Sequence, residues 1–345
     1  MAYDAFLLLS FGGPEGPDDV LPFLRNVVRG RGVPEPRLAA VAEHYHHFGG
    51  VSPINDQCRA LLAAIGADFA AHGVDLPLYW GNRNWHPMLT DTLARMRDDG
   101  VRRAVAFATS AYGGYSSCRQ YREDIDAARA AVGADAPVVE KLRHFGDHPG
   151  FVAPHADAVR AALATLDPAD RAAARLVFTA HSIPVSMAAT AGPDGGLYEA
   201  QLRQTAALVA AAAAPGLAYD LVWQSRSGPA HVPWLEPDVN DHLRVLAKEG
   251  VPAVVASPIG FVSDHLEVVW DLDTEAADTA RDLGLGWARA ATPGTDPRFV
   301  ALVRELVVER LSGAPMCRLG SLAGWQDCPA GCCPPPRRPA PAGAG

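Results

Sequence analysis

An α/β fold of parallel, doubly wound sheets is the class this sequence predicts, and three observations predict it. Apolar runs of strand length alternate with helix-length stretches along most of the chain. The second half repeats the first half's order of elements without repeating its letters. Polar, chemistry-bearing residues collect where strand runs end, the edge at which open α/β sheets bind ligands. The 345 residues exceed one usual core, and 49% apolar content supports packed interiors, so two domains are expected.

The first half's strand runs are Ala5–Ser10, Leu78–Trp80, Ala104–Thr109 and Pro137–Glu140. Those of the second half are Leu176–Ala180, Asp220–Trp223, Ala253–Ser257 and Gly286–Ala290. Short apolar runs of this kind suit strands of a parallel sheet. Helices are expected between them over Gln57–Ala71, Met88–Asp99, Phe151–Leu166, Tyr198–Ala213, Asp238–Glu249 and Thr274–Leu283. A last helix, Pro297–Leu311, opens on a proline, which suits a first helical turn, and closes the globular part. Pro149-Gly150 marks the boundary, giving domains over residues 1–149 and 150–312 and a tail over 313–345. From Pro334 the tail is too poor in apolar residues to fold alone.

Three segments are expected as loops walling a cleft. Phe11-Gly12-Gly13-Pro14 follows the first strand and lets backbone approach a flat ligand or a phosphate. It lacks the G-x-G-x-x-G pattern of dinucleotide binders, so nicotinamide chemistry is unsupported. Tyr45–Pro53 and Tyr112–Tyr121 add glycine, aromatic rings and hydroxyls.

Charge narrows the function. The 30 basic against 39 acidic residues give a net charge of −9, which argues against a nucleic-acid surface. No stretch approaches the roughly 18 apolar residues of a membrane span, and Met1-Ala-Tyr-Asp4 starts no secretion signal, so a soluble cytoplasmic protein is expected. Arg25, Arg29 and Arg31 read as a solvated basic loop.

Cys58 and Cys118 lie in the body, while Cys317, Cys328, Cys332 and Cys333 crowd the end. Without a secretion signal, clustered cysteines suggest metal or cluster ligation more than disulfides. No C-x-x-C spacing specifies the metal. A [2Fe–2S] centre needs four thiolates; the tail can supply three and Cys118 the fourth. Cys58, inside a helix pattern, reads as a core thiol.

The densest chemistry is Phe261-Val-Ser-Asp-His-Leu-Glu-Val-Val-Trp-Asp271, which sets Asp264, His265 and Glu267 at the exit of an apolar run. Asp264 and Glu267 would also serve as a helix-capping pair. The run Leu176–Ala180 ends in His181-Ser182-Ile183-Pro184, and a lone His there is usually structural. Together, at corresponding ends of equivalent elements, the two sites read as a place to hold a metal ion. A zinc hydrolase or deaminase would also use His-x-Glu, but the P-C-x-x-C that such deaminases need is absent after Glu267.

The sequence resembles the ferrochelatase family over nearly its whole length. The marks are the opening LLLSFGGP, HFGGVSP, GNRNWHP at Gly81–Pro87, TSAYGGYSSC, TAHSIP and GFVSDHLEVVWDLD, in the family's order. The resemblance implies two Rossmann-like domains flanking a cleft, a porphyrin between them, and Fe2+ inserted into it as substrate. His181 and Glu267 would face the macrocycle as catalytic and metal-meeting residues, with His265 and Asp264 holding or passing the ion along its approach. A neutral imidazole, with an ordinary pKa of about 6.5, can accept a proton or bind metal near neutrality.

Phe11 falls where the family places a residue beneath the ring, and a Phe there cannot ligate iron. Arg29, Tyr45, Ser52 and Tyr121 match the family's propionate contacts, and His44 stands where related enzymes carry Arg. Members with a C-terminal cluster use one internal cysteine and three near the end. That implies a [2Fe–2S] cluster on Cys118, Cys328, Cys332 and Cys333, with Cys317 a spare that could replace one of them.

The four arginines of the Leu21–Leu38 segment favour coproporphyrin III over protoporphyrin IX. Insertion into protoporphyrin IX is the alternative, and a non-enzymatic iron–sulfur sensor or tetrapyrrole-binding protein is the reading from another class. Transient contact with neighbouring heme-pathway enzymes is a further expectation.

Overall fold

The computed structural model describes residues 3–30, 32–228 and 231–335. Arg31 and the last part of the proline-rich tail lie outside the described residues. Eight strands form two parallel four-stranded sheets. The first sheet contains β1 (Ala5–Ser10), β2 (Leu78–Asn82), β3 (Arg103–Ala108) and β4 (Val138–Lys141), in the order β2-β1-β3-β4. The second contains β5 (Arg175–His181), β6 (Tyr219–Gln224), β7 (Ala253–Ser257) and β8 (Gly286–Arg289), in the order β6-β5-β7-β8. The same order in both sheets is the structural form of the rhyme between the halves.

Burial explains which runs became central. Every residue of β1 and β7 is buried, as expected for parallel strands covered on both faces. The edge strands β4 and β8 are only half covered. Side chains alternate along β1: Phe6 and Leu8 join one core, and Ala5, Leu7 and Leu9 another. The first of these cores runs on without a break beneath the second sheet, through Phe178 and Val255. The two halves therefore share one interior.

Helices seal that interior. Pro149–Thr165 packs against Leu197–Ala213 and against the closing helix Pro297–Ser312. The closing helix also packs on Ile54–Ala71 of the first half, with Arg304 bonded to Asp68 at 2.7 Å. It starts with Asp296 accepting from the Arg298 N–H and stops at Gly313, whose φ of 68° suits the left-handed end of a helix.

Several expected loops are helical. Val20–Val27 and Glu35–His47 occupy the arginine-bearing segment, so Arg25 stands on a helix, ion-paired to Glu35 at 3.0 Å, and not on a basic loop. Tyr45 lies on the second of these helices. A π-helical turn, Tyr115–Arg119, carries Cys118 and runs into the helix Gln120–Val132, which takes Tyr121. The Thr274–Leu283 expectation resolves into a π-helical segment, Val269–Ala276, followed by Ala277–Asp282. Among the described residues no helix is long and apolar enough to cross a membrane.

Beyond Gly313 the described residues form no helix or strand, yet they are fastened. The Cys317 N–H donates to Glu309 Oε1 at 2.7 Å, and the Cys317 carbonyl accepts from Arg143 Nη2 at 2.9 Å. Arg143 and Glu309 are themselves a buried pair joined at 2.7 and 2.9 Å. Gln204 accepts the N–H groups of Ser321 and Leu322. The strap thus lies over the segment that connects the two sheets.

Candidate active site

β5 ends on His181, in register with Gln224 of β6, so the imidazole sits at the C-terminal edge of the second sheet. Its Nδ1 meets the Ser182 carbonyl at 2.5 Å. A carbonyl only accepts, so in the neutral ring Nδ1 carries the hydrogen and Nε2 carries the lone pair, the tautomer needed for a base or ligand. The His181 carbonyl accepts from the Tyr198 hydroxyl at 2.9 Å. Gly260 lets the loop after β7 cross close to Ala180, where a Cβ would come within 2.7 Å of backbone and side chain.

That loop delivers His265 and Glu267. His265 is pushed down to about 3 by burial and by the neighbouring His181, so it stays neutral at ordinary pH. Burial raises Glu267 above the usual carboxylate range. Both side chains keep partial exposure at the surface while lying deep enough to be desolvated.

The π-helical segment then adds a residue that sequence reading missed. Asp271 is raised to about 7, first by burial and further by the charge of Glu267, against hydrogen bonds from Ser225 and Gln224. Helical geometry puts positions four apart on one face, and π-type turns often mark functional sites. The four-residue step from Glu267 was the available signal.

Asp264 departs from the expected role. Its carboxylate is held by Arg289 Nη2 at 2.6 Å, while Arg289 Nε pairs with Asp273 at 2.9 Å. Nor does Asp264 cap the helix that follows: His265 is the cap residue, and no side-chain bond is made there. A carboxylate neutralised by a guanidinium has little left to offer a cation. The structure thus brings His181 and His265 together and groups Glu267 with Asp271, but turns Asp264 to an ion pair.

Phe11 stands at the C-terminal edge of the first sheet, edge-on to Phe23 at 6.3 Å, with the Arg83 guanidinium 5.9 Å from its ring centroid. Arg83 also lies 4.4 Å from the Tyr121 ring and bonds Asp124 at 2.5 Å. Gly13 allows this corner, because a Cβ there would strike Ser52 at 2.6 Å.

Of the expected propionate contacts, Tyr45, Ser52 and Tyr121 are buried and Arg29 is exposed. The Tyr45 hydroxyl is pushed well up by burial and by the charges of Glu267 and Asp271, so it belongs with those carboxylates. His44 stacks on Trp270 with ring centroids 4.1 Å apart, joining the first half's lip to the π-helical segment.

A separate thiol site brings the Tyr115–Arg119 turn together with the C-terminal strap. Cys118, Cys328 and His144 place ligand atoms within 4.8 Å of one another. The Cys332 and Cys333 sulfurs are 3.5 Å apart, and both residues are buried. Two thiolates on one tetrahedral metal stand about 3.8 Å apart, from metal–sulfur bonds of ~2.3 Å, so these vicinal cysteines suit a common metal. Cys333 reaches that position from a left-handed backbone, φ 54°. The Cys118 thiol is held well below its usual value by its bond with Cys328 and, against burial, by the charges of Lys141 and His144.

Cys317 is elsewhere, grouped with His148 and Glu305. His148 Nδ1 accepts from the Gly150 N–H at 3.0 Å, so its Nε2 carries the proton and that trio is not a ready metal site. Cys58 is buried, bonded to Ser10, and pushed up to about 11 by burial.

A family model described as Ferrochelatase matches residues 3–311. A protein of Nocardia farcinica named Coproporphyrin III ferrochelatase is 60% identical over 354 residues, covering 99% of this chain and 100% of that protein. A protein of the same name from Streptomyces griseus is 57% identical over 361 residues, covering 99% and 96%. Among solved structures, SirB from Bacillus subtilis with Fe3+ aligns with a TM-score of 0.55 at 12% identity, covering 90% of this chain and 98% of that one. At that identity the likeness speaks to the fold alone.

Proposed function

The chain belongs to the ferrochelatase family, and on that premise we propose that it inserts Fe2+ into coproporphyrin III, releasing two protons and giving Fe-coproporphyrin for heme biosynthesis. It is a metal chelatase of the lyase type. The choice of porphyrin rests on the full-length relatives that bear that name. The observation that carries the chemistry is His181 at a strand end, its Nδ1 hydrogen committed to Ser182, beside the loop that delivers desolvated His265 and Glu267.

Insertion removes two pyrrole N–H protons and admits a dication stripped of most of its water. His181 Nε2 offers a lone pair to a proton or to the ion. Glu267, raised by burial, accepts a proton near neutrality more readily than an ordinary carboxylate would. Asp271, raised to about 7, lies next in line to receive it, bonded to Ser225 and Gln224 at the edge of β6. Phe11 carries no ligand atom, so the iron enters from the His181 and Glu267 side.

Cys118, Cys328, Cys332 and Cys333 would hold a [2Fe–2S] cluster, whose own chemistry is one-electron transfer, a step the metallation does not use. The domain division at residue 149, a cytoplasmic place of action and transient contact with neighbouring heme-pathway enzymes belong to the same reading.

Anaerobic assay with Fe2+ and coproporphyrin III, following loss of the free-base spectrum, tests the function. His181→Ala and Glu267→Gln are each expected to abolish metallation while porphyrin still binds. Turnover retained in either variant removes that residue from the catalytic set. Faster metallation of protoporphyrin IX in the parallel assay would replace the substrate.

A further inference from the structure

The turn that carries Cys118 is keyed into the second half at the point that holds His181. The Gly113 N–H donates to Gln201 at 2.6 Å, and Gly113 packs so tightly on Leu197 that a Cβ would lie 2.6 Å from it. Next along, Gly114 faces the Tyr198 ring, which is stacked on Trp223 with centroids 5.9 Å apart. The buried Tyr198 spends its hydroxyl on the His181 carbonyl. From the other side, Cys333 Sγ accepts the Gly192 N–H at 3.1 Å, and Leu197 N–H closes that turn by donating to Ala191 at 3.0 Å. Two thiol-bearing segments therefore grip the start of the Leu197–Ala213 helix, and its second residue grips the strand end that presents His181.

We propose that Tyr198 is a positioning residue for His181 and that it couples His181 to the four-thiol site, so that filling this site sets the imidazole for metallation. The coupling rests on the cluster reading above. It needs no electron transfer, because drawing Cys118, Cys328, Cys332 and Cys333 onto one centre fixes the Tyr115–Arg119 turn and the Gly192 turn mechanically. Tyr198 transmits that constraint through one hydrogen bond to a residue whose ring orientation decides whether Nε2 meets a planar ligand.

Amide hydrogen exchange of the whole protein, thiol site empty or reconstituted anaerobically with iron and sulfide, tests it. In the wild type, reconstitution should slow exchange across residues 113–119, at Gly192 and at Ser182, whose N–H is bonded to Gln224. In Tyr198→Phe the slowing at 113–119 and Gly192 should remain and that at Ser182 should vanish. The same variant should lose about tenfold in kcat, the scale of one buried hydrogen bond, with unchanged porphyrin Kd. Equal protection of Ser182 in variant and wild type overturns the coupling. So does a fall in thermal stability with kcat intact, which would mark Tyr198 as merely structural. Absence of visible absorption and of bound iron and sulfide after reconstitution sinks the cluster reading itself, and with it the coupling, before any exchange is measured.

Discussion

Asp271→Asn should gain stability relative to the unsubstituted protein as pH rises from 4 to 8. Asp271 is raised from 3.8 to about 7 in the folded chain, because burial disfavours its charge. Between those values the folded state binds more protons than the unfolded state, so stability falls as pH rises. The gap of about three units, at 1.36 kcal/mol per unit, sets a ceiling of about 4 kcal/mol for this penalty above pH 7. Relaxation around the charge lowers the expected value to ~2–3 kcal/mol. Asparagine cannot ionise and avoids the penalty. It also disturbs the bonds from Ser225 and Gln224, but that cost is independent of pH and cancels when two pH values are compared. Urea unfolding of both proteins at pH 4, 6 and 8 gives the three differences. A difference that does not grow with pH refutes the argument that burial has raised this carboxyl. Metallation by the variant should fall at the same time, as expected where a desolvated charge is kept for chemistry at the expense of stability.

The remaining predictions use other parts of the molecule. His148, His155 and His265 are pushed down to about 4, 3 and 3, burial being the first cause of each. Each keeps the folded state from taking a proton that the unfolded chain accepts below about 6.5, so stability should fall as pH drops from 6.5 towards 4. Calorimetry across that range checks the sign, and a flat profile contradicts it. Cys118→Ser and Cys332→Ser should each abolish the visible absorption of anaerobically purified protein and its bound sulfide, while Cys317→Ser should retain both. Arg143→Ala breaks a pair whose side chains are 4% and 5% exposed, and should cost about 3–5 kcal/mol. Limited proteolysis should then cut the strap after Gly313 first; an unchanged cleavage pattern would mean that the strap is held elsewhere.

How much was legible depended on range. β1 and β7 have the bounds that their apolar runs predict, because a buried parallel strand is written as an unbroken local run. The strand end at His181 was legible for the same reason, whereas Glu267 lies on the short helix Leu266–Val268, well beyond the end of β7. The Glu35–His47 helix was hidden by Ala- and His-rich letters, although Leu38, Ala42 and Tyr45 keep helical spacing and are all buried. The same spacing at Tyr121, Ile125 and Ala128 marks the helix Gln120–Val132, whose first two residues fall in the segment expected as a loop. Pairings across long separations carried no local signal. Arg289 lies on β8, and nothing near Asp264 in sequence announces that it will capture that carboxylate. Sheet order and the single core shared by the halves were likewise beyond reach, since both depend on which runs become neighbours.

The capture of Asp264 changes what the chelatase site can be. A carboxylate left free beside His181, His265 and Glu267 would complete a four-ligand set able to retain a divalent ion. With Arg289 on Asp264, and with Glu267 raised above the usual carboxylate range by burial, the site we propose would offer an approaching ion two imidazoles and a carboxylate more easily protonated than an ordinary one. Such a site would bind weakly and release, as the proposed transfer into a ring requires. The thiol site follows the opposite logic: ligand atoms of Cys118, Cys328 and His144 lie within 4.8 Å of one another, and the Cys332 and Cys333 sulfurs are 3.5 Å apart. On the proposed reading, one chain would hold a weak, oxygen- and nitrogen-lined place suited to passing iron on and a sulfur-lined place suited to keeping it.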